Sequence, residues 1–235
     1  MNVLLIDDHA LFREGLALLL RPLVEALVVW EAGCCEEGLQ LLQTKGPADL
    51  VLIDIALPGM SGLQGIACLR QQWPAMPVVA LSSSDDRDTV LQAVDAGAMG
   101  FIPKSTNSAV LIAALKLILA RGIYLPPSAF LGSAREAAVM PALPSAPLAA
   151  AAEARATPRK TYPRDLGLSV RQSEVLYLIL QGKPAKLIER EMALSTSTIK
   201  AHTSAVLRAL NVTTRTQAVV AAGRLGLCFE EPQKG

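Results

Sequence analysis

Five short, almost unbroken apolar runs punctuate the first 120 residues: Val3–Ile6, Val28–Trp30, Leu50–Ile53, Val78–Leu81 and Phe101–Ile102. A strand with one face in water alternates apolar and polar residues, so runs without alternation describe strands covered on both faces. Amphipathic stretches such as Leu11–Leu20 and Val110–Leu119 lie between them. These are long enough for the helical crossovers that parallel strands require. The front of the chain is expected to form a doubly wound α/β domain around a five-stranded parallel sheet of order 2-1-3-4-5.

The pattern changes over residues 134–163, where Pro141, Pro144, Pro147, Pro158 and Pro163 interrupt an alanine run with few large apolar side chains. Prolines at that density prevent a continuous helix, and the composition can bury little, so a flexible linker is expected. Pro126-Pro127 is expected to open one more helical turn before it. Beyond 166 the spacing predicts four short helices. Ser169 with Gln172 forms a capping box for a helix to about Leu180, closed by Gly182. Pro184 fits the first turn of a helix to about Met192. Ser195 with Thr198 precedes a third helix through Leu210, and Thr214–Leu225 reads as a fourth. The expected organisation is an α/β domain over 1–125, an Ala/Pro-rich linker over 126–165, an all-α four-helix domain over 166–229 and a tail over 230–235.

The 22 Lys and Arg against 21 Asp and Glu hide an asymmetry. Residues 1–122 carry 8 basic and 13 acidic side chains, whereas residues 166–235 carry 9 basic and 5 acidic. An acidic front and a basic back imply two tasks, and the basic end is the candidate for nucleic acid. Although 51% of the residues are hydrophobic, no stretch approaches the roughly 18 uncharged apolar residues of a spanning helix. Met1–Ile6 runs straight into Asp7-Asp8 without the basic and long apolar segments of a signal peptide. A cytoplasmic protein with no membrane partner is expected. Cys34, Cys35, Cys68 and Cys228 show neither paired C-x-x-C spacing nor a nearby histidine, so neither a zinc site nor a disulfide framework is indicated.

Asp7 and Asp8 follow the first apolar run and Asp54 the third. In the expected sheet order these two strands are neighbours, and ligands bind at the carboxyl ends of such a switch point. Three converging carboxylates repel one another. At about 4 Å and an effective dielectric near 20, each like-charged pair costs roughly 4 kcal/mol, so the cluster calls for a divalent cation. Oxygen-only ligands with room for water and phosphate favour Mg²⁺. Taken alone, Asp7-Asp8 could as well start a helix. The fourth run ends in Ser82, a hydroxyl donor, and Lys104 follows the fifth. An aspartate, a metal, a hydroxyl and an ammonium at one sheet edge can accept a phosphoryl group, with Asp54 as nucleophile and the cations offsetting charge on the phosphoryl oxygens. His9 is expected to start the first helix, beside the carboxylates.

The segments Asp7-Asp8-His9, Asp54-Ile55-Ala56-Leu57-Pro58-Gly59-Met60-Ser61-Gly62, Leu81-Ser82 and Gly97-Ala98-Met99-Gly100-Phe101-Ile102-Pro103-Lys104 resemble the receiver domain of two-component response regulators over about residues 1–125. The resemblance implies Asp54 as phosphoacceptor, Asp8 as a direct Mg²⁺ ligand, Asp7 acting partly through water, and the Ala56 carbonyl as a further ligand. It also implies Phe101 as an aromatic switch that turns inward when Ser82 closes on the phosphoryl group. Many receivers follow the lysine with proline; Ser105 stands here.

A helical wheel through residues 196–210 puts His202, Thr203, Val206 and Leu210 within about 60° of Ile199. Ser197, Lys200, Ala201, Ser204 and Arg208 gather on the opposite side. A short, basic face of small residues is what a major groove admits: Lys200 and Arg208 can reach phosphate or guanine, and Ala201 a thymine methyl. His202, on the packed side, is expected to be structural. The residues Leu168-Ser169, Arg171, Glu174-Val175-Leu176, Gly182, Ile188, Leu194-Ser195, Thr198-Ile199-Lys200, His202, Leu207, Leu210-Asn211-Val212 and Arg215 resemble the LuxR-type helix-turn-helix of the NarL/FixJ family over about 166–227. Lys183-Pro184-Ala185-Lys186 departs from the usual cap of its scaffold helix, with Lys186 a further candidate for DNA contact, and Ser204 stands where some members have lysine. The resemblance implies a transcriptional regulator phosphorylated by a sensor histidine kinase, binding double-stranded DNA and acting as a homodimer. Two other classes compete: an aspartyl-phosphate hydrolase, which generally wants a carboxylate where Ala56 stands, and a protein-protein adaptor, against which the basic helix face argues.

Overall fold

The computed structural model describes residues 1–120, 122–129 and 161–229. The linker expected over 126–165 falls outside these residues between 130 and 160, as does the tail 230–235. The front half is β1 (Asn2–Ile6), α1 (Ala10–Leu20), β2 (Val28–Ala32), α2 (Cys35–Lys45), β3 (Leu50–Asp54), α3 (Gly62–Gln72), β4 (Val78–Ser82), α4 (Arg87–Asp95), β5 (Gly100–Pro103) and α5 (Ser108–Leu119). All strand pairs are parallel and the order is β2-β1-β3-β4-β5.

Alternate residues of each strand feed two separate cores. Leu4, Ile6, Val51, Ile53, Ala80 and Phe101 point to the side covered by α2, α3 and α4, where they meet Leu42, Ile66, Leu69 and Val90. Val3, Leu5, Leu50, Leu52, Val79 and Ile102 point to the side covered by α1 and α5, against Leu16, Leu20, Leu111 and Leu115. This two-sided burial is why the strands read as continuous apolar runs. Cys35 is buried in the first core, where desolvation, with smaller effects from Glu36 and the nearby cysteines, pushes its thiol up to about 12.

The strands extend past the apolar runs by one or two residues. Asp54 is the last residue of β3 rather than the first beyond it, because its pairing with Leu81 of β4 continues the ladder. The helical turn expected from Pro126-Pro127 is a 3₁₀ turn at Pro127–Ala129.

The back half is a 3₁₀ turn (Pro163–Leu166) followed by α6 (Val170–Leu180), α7 (Ala185–Met192), α8 (Thr196–Ala209) and α9 (Arg215–Arg224). The Ser169–Gln172 capping box forms, and Gly182 supplies the left-handed residue after α6 with φ 71°. Pro184 differs from expectation. It is the N-cap of α7 in an extended conformation, so the helix starts at Ala185. Leu168, Leu176, Val206 and Leu210 form one small core, and Val175, Ile179, Ile188 and Ile199 another.

The two halves touch. Ile123, just after α5, packs against the second of these small cores. From α9, Thr216 Oγ1 donates to the Met99 carbonyl at 2.8 Å, and Gln217 Nε2 donates to the carbonyls of Val94 and Asp95 at 3.1 and 3.2 Å. Arg224 reaches Asp95 at 3.3 Å.

Candidate functional site

Strand register brings the candidate side chains of the α/β domain to one edge. Ile6 pairs with Ile53, Asp54 with Leu81, and Ser82 with Pro103. Asp7, Asp54, Ser82 and Lys104 therefore emerge at neighbouring carboxyl ends. Asp7, Asp54 and Ser82 are each almost wholly buried. Gly62 is what lets α3 start close beneath the end of β3: a Cβ there would stand 1.9 Å from the Asp54 carbonyl oxygen. Any side chain at 62 would displace the backbone that carries Asp54.

Two buried carboxylates at one edge need a counterion. Lys104 Nζ lies 2.6 Å from Asp7 Oδ2 and 2.7 Å from Asp54 Oδ2, and 4.8 Å from the centre of the Phe12 ring. Burial works against the ammonium charge, but the hydrogen bond to Asp54, the close contact with Asp7 and the negative charge of both outweigh it and raise the pKa above the ordinary lysine value. Asp7 Oδ2 is buried and receives no hydrogen bond of good geometry, so its contact with Lys104 is ionic. Arg13 donates to the Asp7 carbonyl and pairs with Glu31 at 3.1 Å.

Backbone donors fix the rest. The Ala56 N–H donates to Asp54 Oδ1 at 3.1 Å, the Ser84 N–H to Ser82 Oγ at 3.1 Å, and the Lys104 N–H to the Ser82 carbonyl at 2.6 Å. Asp8 and His9 are exposed at the rim, and Ala56 is exposed too. Asp7, Asp8, His9 and Asp54 each offer one ligand atom, all within 4.8 Å of one another. The three carboxylates, with ligand atoms this close together, fit a divalent cation. Phe101 is fully buried among the residues beneath α4, its ring already inward.

In the helical domain Ser197, Lys200, Ala201, Ser204 and Arg208 are all exposed on α8, while Ile199 and Val206 are buried. His202 and Thr203 are half-buried. Lys186 is exposed on α7. Lys183, by contrast, is held by Glu191 at 2.6 Å. Arg215, half-buried at the start of α9, donates to the Lys183 carbonyl at 2.6 Å. Sequence reasoning missed the second role of Gln217. Its Oε1 completes a capping box with Thr214, a pairing visible in the spacing, while its Nε2 crosses to the other domain, which no local pattern shows.

Comparison with known proteins separates the same two parts. Residues 3–116 match the response regulator receiver domain, and residues 166–222 match the luxR family of bacterial regulatory proteins. A glycerol metabolism activator from Pseudomonas putida is 33% identical over 230 residues, covering 94% of this chain and 95% of its own. The nitrate/nitrite response regulator protein NarL of Escherichia coli (strain K12) is 33% identical over 220 residues, 93% of each chain. Among solved structures, a LuxR-family two-component response regulator from Aurantimonas sp. SI85-9A1 is 29% identical with a TM-score of 0.51, covering 58% of this chain and 96% of that one. With receiver and luxR models side by side and relatives matched over nearly their whole length, the chain belongs to the NarL/FixJ family of response regulators, the transcriptional regulators of two-component systems.

Proposed function

We propose that Asp54 is the phosphoacceptor and that its phosphorylation controls DNA binding through α8. The observation that carries this reading is the buried ion pair of Asp54 and Asp7 with Lys104, at 2.7 and 2.6 Å. A nucleophile is held beside the cation that can follow the charge onto an incoming phosphoryl group. Asp54 attacks the phosphorus of a phosphohistidine on a sensor histidine kinase. The P–N bond breaks as the acyl phosphate P–O bond forms, and the imidazole leaves with the electron pair and takes up a proton. The Ala56 N–H orients the carboxylate through Oδ1. Ser82 supplies a hydroxyl to a phosphoryl oxygen, and buried Phe101 is the aromatic switch coupled to that closure.

Asp7, Asp8 and Asp54, with the Ala56 carbonyl, would hold Mg²⁺. Bound there, it supplies positive charge against the phosphoryl oxygens. Beyond accepting this group and losing it by hydrolysis, in which water takes the phosphoryl group and frees the Asp54 carboxylate and inorganic phosphate, the protein is not an enzyme. On α8, Lys200 and Arg208 meet phosphate or guanine, Ser197 and Ser204 give hydrogen bonds and Ala201 an apolar contact, while Lys186 adds a phosphate contact from α7. The receiver is assigned to 1–125 and the DNA-binding domain to 166–229, acting as a homodimer in the cytoplasm. Among the described residues no helix is long and apolar enough to cross a membrane.

The test is intact-mass spectrometry of the full chain incubated with acetyl phosphate and Mg²⁺. One added phosphoryl group is expected, absent in Asp54→Asn. Labelling that persists in that variant overturns the assignment.

A further inference from the structure

His9 occupies the N-cap position of α1, but its side chain makes no capping hydrogen bond. It turns to the carboxylates instead. Nδ1 lies 2.8 Å from Asp8 Oδ1 and 3.3 Å from Asp7 Oδ1, and the His9 main-chain N–H donates to the same Asp7 oxygen at 2.9 Å. Donors sharing one octahedral ion at about 2.1 Å stand about 3 Å apart along an edge. The two imidazole–carboxylate separations bracket that spacing.

Charge and donor chemistry point the same way. Lys104 already offsets Asp7 and Asp54 from the inner side of the pocket, so an ion drawn by charge alone meets a partly neutralised cluster. A nitrogen donor adds the bonding that first-row transition ions favour and Mg²⁺ does not. The rim is also open: the side chains of His9 and Asp8 are 69% and 36% exposed, so a hydrated ion can enter on their side. Arg13 is committed elsewhere, to Glu31 and the Asp7 carbonyl.

We propose that His9 Nδ1 is a ligand in this pocket for first-row transition dications, so that the site holds Mn²⁺ more tightly than Mg²⁺. The proposal rests on the Asp7–Asp8–Asp54 set being the metal site. His9 then sets which metal the pocket takes.

The chain has 2 histidines, and the other, His202, lies on α8 of the second domain, so an imidazole signal is assignable. Tag-free full-length protein is loaded with Mn²⁺ and examined by pulsed electron paramagnetic resonance for a directly coordinated ¹⁴N. The signal is expected in wild type and in His202→Gln and absent in His9→Gln. Mn²⁺ should bind His9→Gln about tenfold more weakly, the scale on which partners of a metal site act, while Mg²⁺ affinity measured by competition stays the same. Mn²⁺ bound without a coordinated nitrogen, or equal weakening of both ions in His9→Gln, overturns the His9 assignment and leaves the carboxylate site standing. No Mn²⁺ binding at all overturns both.

Discussion

Ser84 has a hydroxyl that is already spoken for. It donates to Asp86 Oδ2 at 2.5 Å, and the Ser84 N–H is given to Ser82 Oγ at 3.1 Å. Hydrolysis of an aspartyl phosphate needs a water in line with phosphorus, and the positions best placed to orient it are two residues beyond Asp54 and two beyond Ser82. Ala56, the first of these, offers no polar side-chain atom. Ser84, the second, spends its proton on the cap of α4. Slow self-dephosphorylation is therefore expected, with the phosphorylated state outlasting brief kinase activity. In phosphate-affinity gels Ala56→Asn, whose carboxamide can hold the water, should shorten the lifetime several-fold. A wild-type phosphate lost within seconds, or an Ala56→Asn lifetime no shorter, would remove this explanation. The identities of these residues were readable from spacing alone. The commitment of the Ser84 hydroxyl was not, because it depends on how the β4–α4 loop folds back on the helix it precedes.

Asp86 carries that helix start. Its carboxylate accepts from Ser84 Oγ, from Thr89 Oγ1 at 2.6 Å and from the Thr89 N–H at 2.9 Å. The Ser84 bond, then those from Thr89, hold its pKa down to about 2, against about 3.9 for a free aspartate. A depressed acid stabilises the fold fully above its unfolded pKa and loses that contribution as pH falls through the folded value. Asp86→Ala should therefore cost about 1 kcal/mol at pH 7, as loss of an N-cap does. The gap between mutant and wild type should narrow by pH 3, as read from urea unfolding at both values. A gap that does not change with pH would mean that the carboxylate charge contributes nothing. Caps such as Ser169 with Gln172 and Ser195 with Thr198 are legible in the sequence because donor and acceptor are three residues apart. Gly62 is not, since its constraint is the Asp54 carbonyl, met only once β3 and α3 are packed together.

At the scale of the whole molecule, the receiver grips α9 and leaves the exposed face of α8 free. Thr216 is buried against the Met99 carbonyl, and Gln217 donates to two carbonyls at the end of α4, those of Asp95 and of Val94, the latter also accepting from the Gly97 N–H at 2.9 Å. Ser82 lies just before the start of α4, on the side of the proposed phosphoryl site, and α9 meets the opposite end of that helix at Val94 and Asp95. The sequence could name two domains, since each has its own periodicity, but not their contact, in which the side chains of Thr216, Gln217 and Arg224 reach residues more than a hundred positions earlier. Gln217→Glu isolates the side-chain amide. Glutamate keeps the acceptor that caps α9, as the capping box accepts Glu as readily as Gln, but it sets a carboxylate with no proton against two carbonyls. Leaving such a group unsatisfied costs about 2 kcal/mol, roughly thirtyfold in the ratio of docked to separated domains. Small-angle X-ray scattering of the full chain should then show a larger radius of gyration for Gln217→Glu, while circular dichroism shows the helical content of wild type. Scattering identical to wild type would mean that Ile123 and its apolar neighbours hold the domains together without the α9 hydrogen bonds.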